Sequence, residues 1–341
     1  MIRYNYEYII ENLKSLFSEL GMKEDDSLVS SDYFASVQKF QGSSHSFGVL
    51  LAHMEKIRDK YNISPNYKVI SSSEAFTTID SDNAFGIASA TAMTEMAIKK
   101  AKKSGLHAVF ANNANTFGAA YHYSLMMANK GMIGIVLSNS PAQMQFPNSN
   151  KKLLGSNPIS FSIPAESSKP IVFDMSTSIV AKSKIMEALK NDEKIPMDWA
   201  LNKDHKETTD PKEAIEGSIN PFGAYKGLGL SMMIDILAGV LSGANYLDNV
   251  NRFYSNESSM KVGHLFIAIN PTVILGEDFY QIMDGYIKKI RESNISGYEV
   301  HIPGDSKWAK PDEITIDKHI IEDINRFIDE NKLAIEKWRI S

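Results

Sequence analysis

The 341 residues are 43% hydrophobic and 23% charged, which excludes a disordered or fibrous chain and allows two domains or one large one. The absence of cysteine excludes a disulfide framework, Cys-based metal centres and a Cys nucleophile, and suits a cytoplasmic protein. Thirty-six Lys and Arg against 41 Asp and Glu give a formal net charge of -5, so nothing global points to nucleic acid.

The opening MIRYNYEYII lacks the regions of a signal peptide. Residues 6–20 place Tyr6, Ile9, Ile10, Leu13, Leu16 and Phe17 at helical spacing, with Gly21 as the stop. Residues 28–57 read as one or two helices broken around 42–46. KVISSS (68–73) and FTTIDSD (76–82) read as short strands. Residues 83–105 give the clearest helix, with Ala88, Met93, Met96, Ala97 and Ala101 as its stripe. Its closing lysines, 99–103, suit the helix dipole and read as a solvated helix end rather than a phosphate site. HAVFA (107–111) is expected as a strand, 118–130 as a helix and MIGIVLS (132–138) as a strand. ISFSI (159–163) and IVFDM (171–175) are two more strands, and 178–189 a helix.

Residues 190–222, with Pro196, Pro211 and Pro221, read as a long polar excursion. LGLSMMIDILAGVLSGA (228–244) is the longest apolar stretch. Asp235 interrupts it and it is too short to span a bilayer, so 228–241 is expected to be a buried core helix and no membrane is expected. HLFIAIN (264–270) reads as a strand, 276–293 as an amphipathic helix, YEVHI (298–302) as a strand and 313–338 as mostly helical. Interleaved strands and helices make the class α/β.

No G-x-G-x-x-G and no P-loop occurs, and the eight histidines show no metal-binding pair, so no metal is expected. Small polar clusters sit instead at strand exits: 112–118, 138–141 and 174–178. Such loops are where open α/β sheets bind ligands, and their free N–H groups suit phosphates. The same residues are also ordinary helix caps.

LGSNPISFSIP (154–164), IVFDMSTSIVAKSKI (171–185), GAYKGLGLSMMIDILAGVLSGA (223–244) and GHLFIAIN (263–270) resemble the malate/L-lactate dehydrogenase family. This non-Rossmann, NAD(P)-dependent group also holds ureidoglycolate, sulfolactate and diketogulonate dehydrogenases and a cyclic imino acid reductase. The resemblance spans about residues 5–320. It implies the family's α/β fold, with a central mixed sheet over 70–310. Helical segments at 1–69 and 311–341 would pack together around it. It implies NAD or NADP as cofactor, a small-molecule substrate and a homodimer with sites near the subunit interface. For the cofactor it implies Ser140 of the N-S-x-P loop, the segment Asp174, Met175 and Ser176, the G-Y-K-G lysine as Lys226, and a late loop of Pro303, Gly304 and Asp305.

The chemistry departs from the family. Its proton-exchanging His in an N-H-F-G loop stands here as Thr116, a poor general base. Its carboxylate-gripping Arg follows an S-H-G motif in two possible registers. Aligning Ser44 and His45 puts Val49 at the Arg and His53 at the Tyr position. Aligning Ser46, Phe47 and Gly48 puts Leu51 and Glu55 there, and neither register supplies an Arg. An aliphatic side chain does not replace a bidentate clamp. Thr116 with His45 and His122 as spare titratable groups are the candidate catalytic residues. The expected function is an NAD(P)H-dependent reductase of a small, non-standard substrate through its C=O, C=N or activated C=C bond, not classical malate or lactate. The alternative is a catalytically inactive dinucleotide-binding or partner protein derived from such an enzyme.

Overall fold

The computed structural model describes residues 1–255, 259–308 and 313–340. Asn5 caps the first helix, Tyr6–Glu19, by accepting from the Tyr8 N–H. Ile9, Leu13, Leu16 and Phe17 form its buried stripe, and Gly21 at φ 88° ends it. Helices Glu24–Gln41 and Phe47–Asp59 follow, parted by Gly42 and a tight turn over Ser43–His45. The strand Ile2–Tyr4 pairs antiparallel with Ile314–Ile316, tying the start of the chain to its end. The helix Lys318–Glu330 then packs on Phe47–Asp59. Trp338 is buried against the edges of Tyr4, Tyr8 and Phe47, so the tail is clamped by aromatic packing.

The central sheet has seven strands in the order Lys68–Ser72, Phe76–Asp80, Leu106–Ala114, Val262–Ile269, Ile133–Ser138, Ile159–Ile163 and Ile171–Met175. Phe76–Asp80 pairs parallel with Leu106–Ala114, and the other pairings are antiparallel, which makes the sheet mixed. Helices Gly86–Ser104 and Ala120–Ala128 cover one face. Alternation along Leu106–Ala114 puts His107, Val109 and Ala111 on that buried face and leaves Leu106, Ala108 and Phe110 less covered on the other. Lys100 reaches from the covering helix to the hydroxyls of Ser72 (3.1 Å) and Thr77 (2.7 Å), so this member of the lysine run braces the edge hairpin.

Several sequence expectations are corrected. The strand at 107–111 runs on to Ala114, and the next helix starts at Ala120, because Gly118 at φ 78° turns the chain between them. The helix expected from 178 begins at Lys182, since 178–179 first run beside 220–221. The excursion at 190–222 folds on itself, with Ala200–Leu201 paired to Ser218–Ile219 over a small core of Ile185, Ile195, Ala214 and Ile219. Residues 298–302 form no strand; their carbonyls and N–H groups serve turns and Arg291 instead. The apolar stretch 228–241 is buried on one side only, where Ile234 and Ala238 pack on Leu137 and Leu265 of the sheet. Tyr225–Ile234 is α-helical, Asp235–Val240 is a π-helix, and Met233, Val240 and Leu241 are exposed. Among the described residues no helix is long and apolar enough to cross a membrane.

Candidate active site

The sheet register brings the three polar exits together. His264 pairs with Ala111 on one side and Ser138 on the other, Leu137 pairs with Ile159, and Ile159 with Met175. The loops after Ala114, Ser138 and Met175 therefore leave from one end of the sheet, the end where ligands bind in open α/β sheets.

The loop after Ala114 is tightly held. Asn115 is buried and donates to Asn83 Oδ1 (3.0 Å) and the Ala84 carbonyl (2.9 Å), while its Oδ1 accepts from the Met260 N–H (3.0 Å). Gly86 has to be glycine, because a Cβ there would lie 2.1 Å from the Thr116 carbonyl. Gly118 has two reasons: its positive φ, and a Cβ that would lie 1.8 Å from Tyr33 Oη. The Tyr33 hydroxyl accepts from the Ala119 N–H (2.7 Å) and donates to the His45 carbonyl (3.0 Å). One phenol thus fastens the Thr116 loop to the His45 turn. Thr116 itself is half-buried, with its hydroxyl 3.4 Å from the Gly118 N–H.

Beneath this loop lies His264, which sequence reasoning missed. It is fully enclosed, spans the Asn115 carbonyl (Nε2, 2.9 Å) and Ser138 Oγ (Nδ1, 2.9 Å), and packs on Phe117. Burial pushes its pKa down to about 4. The neutral ring with its proton on Nε2 satisfies the Asn115 carbonyl, while the Ser138 hydroxyl beside Nδ1 donates to the Asn139 carbonyl (2.8 Å).

His45 is half-buried, and burial holds its pKa below the ordinary value. His122 lies behind Tyr33, with Nδ1 3.2 Å from Ser36 Oγ and a ring contact to Tyr33. Burial brings its pKa down to about 4, with Asp32 acting in the opposite sense. In the first register Val49 is half-buried, and His53 is enclosed by Phe34, Phe85 and Phe253 with its pKa pushed down to about 3. In the second, Phe47 is core, packed on Phe34 and Trp338, while Leu51 is half-buried and Glu55 exposed.

The candidate cofactor residues form a connected set. Ser140 donates through its N–H (2.9 Å) and hydroxyl (3.2 Å) to Asn157 Oδ1, and Asn157 donates to the Ser231 carbonyl (3.0 Å) on the helix that carries Lys226. Gly155 allows this approach, since a Cβ would lie 2.3 Å from Ser140 Oγ. The Thr177 N–H donates to Ser156 (2.9 Å) and its carbonyl accepts from Phe222 (3.1 Å), which leads the chain from Ser176 to the turn before Lys226. Met175 and Ser176 are half-buried and Lys226 is exposed. Pro303 accepts from the Val172 N–H (3.1 Å), and Gly304 at φ 104° passes 3.0 Å from that nitrogen as a Cβ would see it.

Two acidic members have protein partners. Asp305 pairs with both guanidinium nitrogens of Arg291 (2.8 and 3.2 Å), which holds its carboxyl below the ordinary range. Asp174 points to the helix-covered side, where the Tyr121 N–H supports its carboxylate at the start of Ala120–Ala128. Burial nonetheless raises its pKa to about 6, against the pull of Lys307. The Lys307 ammonium sits 3.5 Å over the Tyr121 ring. The only sequence signal for Lys307 was its place two residues after the late loop.

Comparison with known proteins identifies the family and the fold. Residues 4–325 match the malate/L-lactate dehydrogenase family. The chain is 34% identical over 339 residues to the L-sulfolactate dehydrogenase of Methanocaldococcus jannaschii, covering 96% of this chain and 98% of that one. It is 28% identical over 315 residues to a Pseudomonas putida Delta(1)-pyrroline-2-carboxylate/Delta(1)-piperideine-2-carboxylate reductase, 91% of each chain. The solved structure of the M. jannaschii sulfolactate dehydrogenase superposes with a TM-score of 0.89 over 97% of this chain and 98% of that one, at 33% identity. Malate dehydrogenase from Pyrococcus horikoshii gives 0.86 over 99% and 97%, at 27% identity. The chain belongs to the malate/L-lactate dehydrogenase family and is an NAD(P)-dependent oxidoreductase.

Proposed function

We propose that the protein is an NAD(P)H-dependent reductase of a small, non-standard substrate, reducing a C=O, C=N or activated C=C bond, and not a classical malate or lactate dehydrogenase. The observation that carries this reading is Thr116. It stands on the rigid loop where the family places its proton-exchanging His, while both registers at 44–55 leave aliphatic side chains in the Arg position. The relative named for reducing cyclic imines supports the C=N option, since an iminium needs less help from a general acid than a ketone does.

The donors at the sheet end fit a nicotinamide dinucleotide. Ser140 fixes one loop, Met175 and Ser176 open another, and Thr177 Oγ1 is buried without a hydrogen-bond partner. Lys226 supplies an exposed ammonium beside them for a pyrophosphate. Pro303 and Gly304 close the edge at Val172, and Asp305 acts from its Arg291 pair by holding that loop in place. The dinucleotide supplies the hydride. The Thr116 hydroxyl orients the substrate heteroatom by hydrogen bonding, and His45, on the turn that Tyr33 ties to this loop, exchanges its proton with solvent. His122 supports the loop from behind through Tyr33.

A homodimer accounts for the exposed apolar surface. Phe76 and Phe173 on the open face of the sheet, and Met233, Val240 and Leu241 (58% exposed) on the segment across it, lack cover in one chain. A screen of NADH and NADPH oxidation against 2-oxo acids, cyclic imines and activated alkenes tests the reading. One of these classes is expected to turn over while oxaloacetate and pyruvate do not; efficient reduction of the two oxo acids overturns it.

A further inference from the structure

A cleft of about 350 Å³ opens directly after Ser140, between Pro141 and Ala142, Lys151 and Lys152, and Asp248 and Arg252. That volume holds a nucleoside-sized group. Three of its lining side chains are cations and one is a carboxylate. Lys182, which follows the 174–178 segment, joins them closely enough for Arg252 to repel it. Lys152 is fixed by donating to the carbonyls of Gly217 (2.8 Å) and Glu216 (3.2 Å), which leaves one of its three donors. Among the described residues the side chains of Lys151, Lys182 and Arg252 have no ion-pair or hydrogen-bond partner. Burial, and then the Arg252 charge, hold Lys152 and Lys182 below the ordinary lysine range. Among the described residues, cations from three separate segments are thus gathered around one lining carboxylate, Asp248, an arrangement that an anion stabilises.

The position of the cleft selects the anion. None of its lining residues comes from the loops at 43–47 or 115–119, and its Val250 packs with Ala114 at the root of the second of these loops. Its first residue adjoins Ser140, and the pyrophosphate already has Lys226 and the 175–176 backbone. We infer that the cleft seats the 2′-phosphate of NADP, with Arg252 as its fork and Lys182 and Lys152 as flanking charges, and that the enzyme prefers NADPH to NADH. The inference rests on the cofactor role of Ser140 in the proposed function.

Calorimetric titration of NADPH and NADH into the wild-type protein, Arg252→Gln and Lys182→Met tests it. NADPH is expected to bind at least tenfold more tightly than NADH. Each variant is expected to weaken NADPH several-fold and leave NADH within twofold, which also shows that the fold is intact. In competition, 2′,5′-ADP is expected to displace NADPH better than 5′-AMP does. Equal affinities for NADPH and NADH in the wild type overturn the inference while leaving the cofactor reading standing. Equal weakening of both dinucleotides by Arg252→Gln also overturns it, assigning the cations to the pyrophosphate. If neither dinucleotide binds at millimolar concentration, the cofactor reading fails and takes the inference with it.

Discussion

Removing Lys307 should make the stability of the protein depend on pH in a particular way. Asp174 is half-buried at the start of Ala120–Ala128, and its pKa rises from 3.8 to about 6. At 1.36 kcal/mol per unit, holding that carboxylate ionised in the fold costs about 3 kcal/mol. Because the folded pKa lies above the unfolded one, stability is highest below pH 3.8 as far as this group is concerned, and falls as pH rises towards 6. Lys307 opposes the rise, so Lys307→Met should push the Asp174 titration higher and enlarge the loss at alkaline pH. An interaction with a charged group is worth about 1.5–3 kcal/mol. Urea unfolding at pH 8 should therefore show Lys307→Met less stable than wild type by about that much more than at pH 4.5. The contact with the Tyr121 ring contributes about equally at both pH values. In an Asp174→Asn background the extra loss at pH 8 should vanish. A Lys307→Met loss of equal size at both pH values, with Asp174 intact, would refute the coupling.

Tyr33→Phe leaves the Ala119 N–H and the His45 carbonyl without their partner, and should cost about 1–3 kcal/mol per stranded group and slow turnover, read by urea melts and steady-state rates. Thr116→Val should lower turnover of the true substrate and leave dinucleotide affinity within about twofold, or roughly 0.4 kcal/mol, by calorimetry. His53 stays neutral in its aromatic enclosure with a pKa near 3, so folding is penalised once pH drops below about 6.5. His53→Phe should relieve about 2 kcal/mol of that penalty at pH 5 relative to pH 8, measured by unfolding at both. If Val240 lies in the proposed homodimer interface, Val240→Asp should shift the sedimentation profile from dimer to monomer.

Strands and helices with strong patterns were legible in the sequence. The 83–105 stripe became Gly86–Ser104, and the strands at 68–73, 76–82, 132–138, 159–163 and 171–175 stand within a residue or two of their places. The errors arose where tertiary context decides. YEVHI has the composition of a strand, but no sheet edge receives it. The apolar run at 228–241 read as wholly core because a continuous hydrophobic stretch does not reveal which of its sides is covered; Ile234 and Ala238 are buried while Met233, Val240 and Leu241 are exposed. At the site, the loop residues were visible as small polar clusters and family motifs. Tyr33, His264 and Lys307 were not, because each acts across the fold: Tyr33 reaches a carbonyl 12 residues away and an N–H 86 residues away. Asp174 was read with the cofactor segment, yet its carboxylate faces Tyr121 and Lys307 and leaves the neighbouring backbone to a ligand.

The most direct test of the proposed pocket is kcat/KM for reduction of oxaloacetate and pyruvate at saturating NADPH, repeated with NADH. In the proposed pocket, loss of a positioned general acid removes about 10²–10⁴-fold in rate, and the absence of a carboxylate clamp removes more. The account predicts values far below the roughly 10⁴ M⁻¹s⁻¹ at which ordinary enzymes begin. A value at or above that level for either oxo acid, with either dinucleotide, would contradict it.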